Sequence, residues 1–263
     1  MRLFILAAIF LIVSLFFSML GIGGGMFYVP ILLFAKFSLH TAAPLSLSLI
    51  LATSFSALFV FLRNKLVDWK LAAIIDPPTD IMAFVGGYFA AFVSEALLKL
   101  VLVFVLVVAG VFMMKKGRPR TLCPEKKVWW CWERNFCGRS YRVNLLLTLP
   151  LTAAVGLLSG MLGVTGGVIK LPLMVLFCGV PMDIAIATST VMVAVTALFG
   201  LSGHIAGGGI NIVFGIPLAI AAFIGGQVGS RISIKSNKGR LKKIFGFALI
   251  VIAVRILFSL SGR

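Results

Sequence analysis

Two glycine-rich stretches hold the residues best suited to chemistry. One is Gly23-Gly24-Gly25 with Tyr28 and Pro30 behind it; the other is Thr165-Gly166-Gly167 with Lys170 and Pro172 behind it. Each glycine destabilises a helix by ~1 kcal/mol relative to alanine, so each stretch interrupts the apolar segment that contains it. In a bilayer the freed backbone groups must find partners, which places the break inside the protein or along a watered cavity. The apolar stretch 26–37 is too short for a hydrocarbon core ~30 Å thick, and Pro30 is expected near its first turn, where a missing N–H costs little. A half-helix that starts this way presents free N–H groups and a positive dipole end. That chemistry suits an anion.

The second stretch adds Lys170, in register with Tyr28. The competing readings are close helix packing for the glycines and a snorkelled interface position for the lysine. Two symmetric copies favour the binding site. Ser46, Ser48, Thr188, Ser189 and Thr190 lie just inside the helix after each break. Singly, each hydroxyl reads as a back-bond to its own helix; their symmetric placement reads as an anion-coordinating cluster. Asp76 and Asp80, four residues apart, would share a helix face. In the bilayer they form a proton or cation relay; if Pro77-Pro78 ends the helix, they sit in a watered loop. His204 and Asn211 flank an uncharged loop; His204 reads as an interfacial residue or else as a proton carrier, and the two complete the candidates for ion coupling, with a proton or sodium ion as the coupled species. Lys36, His40, Glu95, Lys99 and Asp183 read as boundary residues.

Positioning these groups requires membrane helices. Of 263 residues, 61% are hydrophobic and 12% charged, against about 25% charged in soluble domains. Apolar runs of spanning character fall at 3–20, 41–62, 81–93, 97–114, 143–162, 184–203, 212–230 and 244–260. The first run resembles a signal peptide but lacks a clean cleavage site, and is read as retained. The net charge of +17 belongs to basic loops rather than to nucleic-acid binding, because no basic globular domain is present.

Residues 18–57 align without gaps on 160–199, so the chain is a duplication. Gly86-Gly87 and Gly225-Gly226 correspond after a small slip. The expected fold class is all-α integral membrane, with two repeats at 1–114 and 143–263 joined by a basic linker at 115–142. Each repeat has a glycine-broken (re-entrant or discontinuous) segment plus three transmembrane helices. An inverted arrangement gathers 18 of the 24 Lys and Arg residues on one side, in the loops 63–70, 115–142 and 231–243. By the positive-inside rule that side is cytoplasmic and both termini lie outside. The linker cysteines Cys123, Cys131 and Cys137 match no standard zinc spacing and read as cytosolic free thiols, with the neighbouring tryptophans and cations against the anionic leaflet. No metal or cofactor is implied.

The pattern Gly21-Ile22-Gly23-Gly24-Gly25…Pro30, repeated as Gly163-Val164-Thr165-Gly166-Gly167…Pro172, resembles the TauE/SafE sulfite exporter family. The Ala/Ser/Thr-rich helices 41–56 and 183–197, the turns at Asp68 and Asn211 and the late Gly-Gly pairs carry the same resemblance over nearly the whole chain outside the linker. It implies a transporter of sulfite, organosulfonates or related sulfur-containing anions in the cytoplasmic membrane. Thr165, where the family commonly has Gly, and Asp76-Pro77-Pro78-Thr79-Asp80, where it usually has an apolar span, depart from the pattern. An anion channel could use the same half-helix ends. An enzyme is disfavoured, since the sequence offers two histidines, no paired catalytic acids at a nucleophile elbow and no metal-spaced ligands; with no Walker A sequence, ATP hydrolysis by this chain is not expected either.

Overall fold

The computed structural model describes residues 2–21, 23–114, 123, 128–164, 166–207, 215–234, 247 and 250–258. Its helices are α1 (Arg2–Ser18), α2 (Gly25–Phe34), α3 (Leu39–Arg63), α4 (Trp69–Ala90), α5 (Glu95–Met114), α6 (Leu145–Leu162), α7 (Gly167–Leu176), α8 (Met182–Ala206) and α9 (Gly215–Ser233). Residues 250–258 are also helical. Four of these helices, α3, α6, α8 and α9, are long and apolar enough to cross a membrane.

Polar residues start the helices where orphan N–H groups need partners. Ser38 caps α3 by accepting from the Thr41 N–H, and Asp68 caps α4 by accepting from Lys70 and Leu71. Asn144 caps α6 through Leu147. At ten residues each, α2 and α7 are only about 15 Å long at 1.5 Å per residue. Pro30 lies in the second turn of α2 rather than its first, so the Met26 carbonyl loses its helical donor.

The structure decides one alternative that the sequence left open and departs from two expectations, the all-α class and the free linker thiols. First, α4 runs unbroken through Pro77 and Pro78, so Asp76 and Asp80 are helical and buried, not in a watered loop. Pro77 and Pro78 remove the helical donors to the Ala73 and Ile74 carbonyls, an interruption that neighbouring helices can support; one residue further on, the Thr152 hydroxyl of α6 lies 3.4 Å from the Ile75 carbonyl. Second, the linker is not featureless: β1 (Cys131–Phe136) and β2 (Arg139–Asn144) form an antiparallel hairpin, turned at Gly138 (φ 71°). The protein is thus helical with one small sheet among the described residues. Third, Cys123 and Cys131 are joined as a disulfide; Cys137, exposed, and Cys178, buried, are free.

The two sequence halves interlock. α1 packs along α9 while α6 packs along α4; α3 lies against α9 while α8 lies against α4, and α3 and α8 touch each other. Small residues allow this closeness. A Cβ at Gly160 would come within 2.0 Å of the Ala83 carbonyl oxygen, and one at Gly156 within 2.2 Å of that of Thr79. A Cβ at Gly86 would meet the Leu157 oxygen at 2.2 Å and one at Gly229 the Leu15 oxygen at 1.9 Å. Leu15 and Leu157 are in repeat register, so by these contacts the counterpart of Gly86 in the second half is Gly229 rather than Gly225.

Candidate functional site at the two helix breaks

Each break is held by the opposite half. Gly21 and Gly163, in register, both take φ 66°, a left-handed conformation that favours glycine. A Cβ at Gly21 would strike the Ile186 carbonyl oxygen at 2.4 Å, and one at Gly163 would strike Ala43 Cα at 2.3 Å. Ser189 of α8 donates to the Gly21 carbonyl (2.9 Å), and Ser46 of α3 donates to the Gly163 carbonyl (2.7 Å). These bonds pair Ser46 with Ser189, one residue away from the gapless register that pairs it with Thr188.

Ser46 and Ser189 thus supply the partners that broken backbone needs in lipid. Ser46→Ala or Ser189→Ala leaves one buried carbonyl unpaired, and the expected cost is about 1–3 kcal/mol. Thermal unfolding of both single variants checks this, with Ser48→Ala as the comparison expected to stay near wild type.

The remaining hydroxyls of the expected anion cluster are also engaged internally. Ser48 donates to the Pro44 carbonyl and Thr190 to the Ile186 carbonyl, each within its own helix. Thr188 accepts the backbone N–H of Asp68 at 3.1 Å. These three therefore serve the helices in this conformation, as single hydroxyls often do. Thr165 and Asn211 lie outside the described residues, as does the side chain of Pro172.

The half-helix starts differ in character. At α2, Gly23, Gly24 and Gly25 are buried, and a Cβ at Gly24 would meet the Tyr28 ring at 2.6 Å. Tyr28 is fully buried, stacks edge-on against Phe10 and shares a 2.9 Å hydrogen bond with the Thr53 hydroxyl. Ser54, whose Oγ would lie 2.8 Å from a Cβ at Gly23, has no hydrogen-bond partner among the described residues.

At α7 the equivalent chemistry is ionic. A Cβ at Gly166 would lie 3.5 Å from Lys170 Cε, so the lysine stem folds back over the start of its own helix, whose first residue is Gly167. Lys170 is buried, with 1% exposure, which excludes snorkelling. Its ammonium pairs with the Asp76 carboxylate and donates to Thr196 Oγ1 at 3.1 Å; that hydroxyl donates to Asp80 Oδ1 at 2.8 Å. Three elements, α4, α7 and α8, therefore converge on one polar cluster. Lys170 is not a free cation awaiting an anion, because Asp76 already neutralises it. His204 stands apart, its Nε2 2.8 Å from the Gly160 carbonyl oxygen.

Thr53 and Thr196 escaped sequence reasoning. The gapless register puts Thr53 on Val195; only the one-residue slip set by the Ser46 and Ser189 bonds aligns Thr53 with Thr196, and so Tyr28···Thr53 with Lys170···Thr196.

The hairpin docks over one end of this assembly. Arg134 and Tyr141 both reach the buried Asp68 carboxylate, at 2.9 and 2.5 Å, and Arg139 pairs with Asp183 at the start of α8. Burial pushes the Asp68 carboxyl up, but hydrogen bonds from Arg134, Tyr141 and the Leu71 N–H together bring it below its ordinary value.

Long apolar helices, two interlocked sequence halves and a buried polar cluster at a helix break define a polytopic helical membrane protein, and its family and relatives are those of membrane transporters. The model of the sulfite exporter TauE/SafE family matches residues 6–256, and the chain belongs to that family. It is 24% identical over 252 residues to the probable membrane transporter protein YunE of Bacillus subtilis (strain 168), covering 92% of both chains. It is 21% identical over 245 residues to the probable membrane transporter protein YfcA of Escherichia coli (strain K12), covering 92% of this chain and 84% of that one. No solved structure matches the chain.

Proposed function

We propose that this protein is a secondary transporter for a small anion, with sulfite, organosulfonates and related sulfur-containing anions as its substrate class. The observation that carries this reading is the start of α7, where a half-helix N-terminus and the buried Lys170 ammonium lie together. A negative ligand gains from both the dipole and the cation. In this conformation Asp76 occupies the ammonium, so the substrate anion binds by taking the place of that carboxylate. Gly166 and Gly167 supply backbone N–H groups. Gly23, Gly24, Gly25 and Ser54 offer a second, neutral half-site at α2.

The repeats at 1–114 and 143–263 are inverted and alternate access by moving against each other around the breaks. The basic linker lies on the cytoplasmic side of the cell membrane, and both termini lie outside. The family's substrate class and the loop charges support these assignments.

The test is counterflow in proteoliposomes with sulfite, sulfate, ethanesulfonate and acetate. Saturable uptake, accelerated by unlabelled anion on the opposite side, is expected for at least one sulfur oxyanion and not for acetate. Ohmic single-channel current would establish the channel reading instead, and absence of any anion movement would remove both.

A further inference from the structure

The polar cluster at α7 carries an imbalance of charge. It contains two carboxylates, Asp76 and Asp80, and one cation, Lys170; their exposures are 5%, 7% and 1%. Asp76 is matched by Lys170 through a direct ion pair. Asp80 has a single hydrogen-bond partner among the described residues, the Thr196 hydroxyl, and no cation pairs with it there. An unmatched buried carboxylate carries the uncompensated desolvation penalty of an isolated buried ion. Buried acids in that position take up a proton or recruit a cation.

Among the described residues, the surrounding elements supply no other charge to balance it. α6, packed along α4, has no titratable side chain. α8 has Asp183 at its start, where it is exposed and paired with Arg139, and His204 near its end, bonded to the Gly160 carbonyl. His204 is eight residues beyond Thr196, about 12 Å along a helix. α7 contributes Lys170 alone, and α4 itself adds only Lys70 and Tyr88, the first six residues before Asp76 and the second eight beyond Asp80.

We propose that Asp80 is a proton-binding site, and that the protein binds its anion and one proton together. This rests on the reading of Lys170 as the anion's contact. When an anion takes the place of Asp76 at Lys170, two carboxylates and the ligand face one ammonium. One proton from solvent, bound at the Asp80 carboxylate, removes one of those negative charges. Thr196 accepts from Lys170 and donates to Asp80, so it transmits the occupancy of the ammonium to the carboxylate. By linkage, proton binding tightens anion binding and anion binding raises proton occupancy by the same factor. A cation would need several free oxygen ligands, whereas the Thr196 oxygen already accepts from Lys170 and gives its hydrogen to Asp80. The coupled species is therefore the proton, with the anion and the proton moving in the same direction.

The test has an arm that needs no anion. Infrared spectra of the purified full-length protein at neutral pH, taken in H2O and in D2O, should contain a protonated-carboxyl C=O band. The band should vanish in Asp80→Asn, shift in Asp80→Glu and persist in Asp183→Asn. Should Asp80→Asn fail to fold, the shift in Asp80→Glu and the titration of the wild-type band still decide the matter. Absence of the band in wild type overturns the proposal, as does its persistence in folded Asp80→Asn. Replacement of the band by sodium-dependent thermal stabilisation would also overturn it, in favour of a sodium site. The second arm is binding of ethanesulfonate, whose charge does not change near neutral pH. Affinity should be about tenfold tighter on the acid side of the carboxyl titration, within the usual range of such couplings, and independent of pH in Asp80→Asn. If wild type has the band but binds none of sulfite, sulfate or ethanesulfonate, the anion reading fails and the proton site stands.

Discussion

Lys170→Met is expected to lower the melting temperature of the purified protein by on the order of 10 °C. The argument begins with burial: the ammonium is 1% exposed and its partner Asp76 is 5% exposed. Removing one member of such a pair leaves the other charge without compensation, at a cost of about 3–5 kcal/mol. For a chain of this size each kcal/mol moves the midpoint by roughly 2–4 °C. Uptake of a proton by Asp76 limits the loss, so destabilisation should ease as the pH falls. The pair variant Lys170→Met/Asp76→Leu should recover most of the stability, because apolar replacement of a whole buried pair is often neutral or stabilising. Thermal melts monitored by size-exclusion chromatography distinguish the cases. If Lys170→Met melts with wild type, the ion pair contributes nothing.

Gly160→Ala should be nearly as damaging despite adding one methyl group. The new Cβ would fall 2.0 Å from the Ala83 carbonyl oxygen and 2.9 Å from Ala83 Cα. Both are backbone atoms, so no rotamer change relieves the clash and α4 must move off α6. Overpacking of this kind costs about 1–3 kcal/mol or more. α4 also carries Asp76 and Asp80, so the displacement should impair transport as well as stability. Gly200→Ala is the matched control. The nearest atoms to its Cβ would be the Leu47 side chain at 3.3 Å and Gly160 Cα at 3.5 Å, and helix propensity favours Ala by ~1 kcal/mol. Gly200→Ala should therefore be neutral or stabilising.

The sequence made the membrane class and both breaks legible, because runs of apolar residues and clustered glycines are local signals. It did not reveal which surfaces meet. Ser46 and Ser189 stand out as hydroxyls after a break, but their partners lie 117 and 168 residues away. Without those contacts they look like ligands. Pro77-Pro78 is a strong local stop signal, and α6 and α8 override it by packing on both sides of α4. Lys170 was visible as an unusual cation, yet its neutralisation by Asp76, 94 residues earlier, depends on the fold. The hairpin was hidden by the density of charge around it, which resembles a solvated linker until Arg134 and Tyr141 find Asp68.

The central claim, that the α7 break with Lys170 receives the anion, is tested most directly by ligand-dependent melting. Wild type should be stabilised by sulfite or ethanesulfonate, by about 2.7 kcal/mol at a hundredfold excess over the dissociation constant. The variant Lys170→Met/Asp76→Leu should fold and show no such stabilisation. Equal stabilisation of the two proteins by the same anion, or none in wild type across sulfite, sulfate and ethanesulfonate, would contradict the assignment.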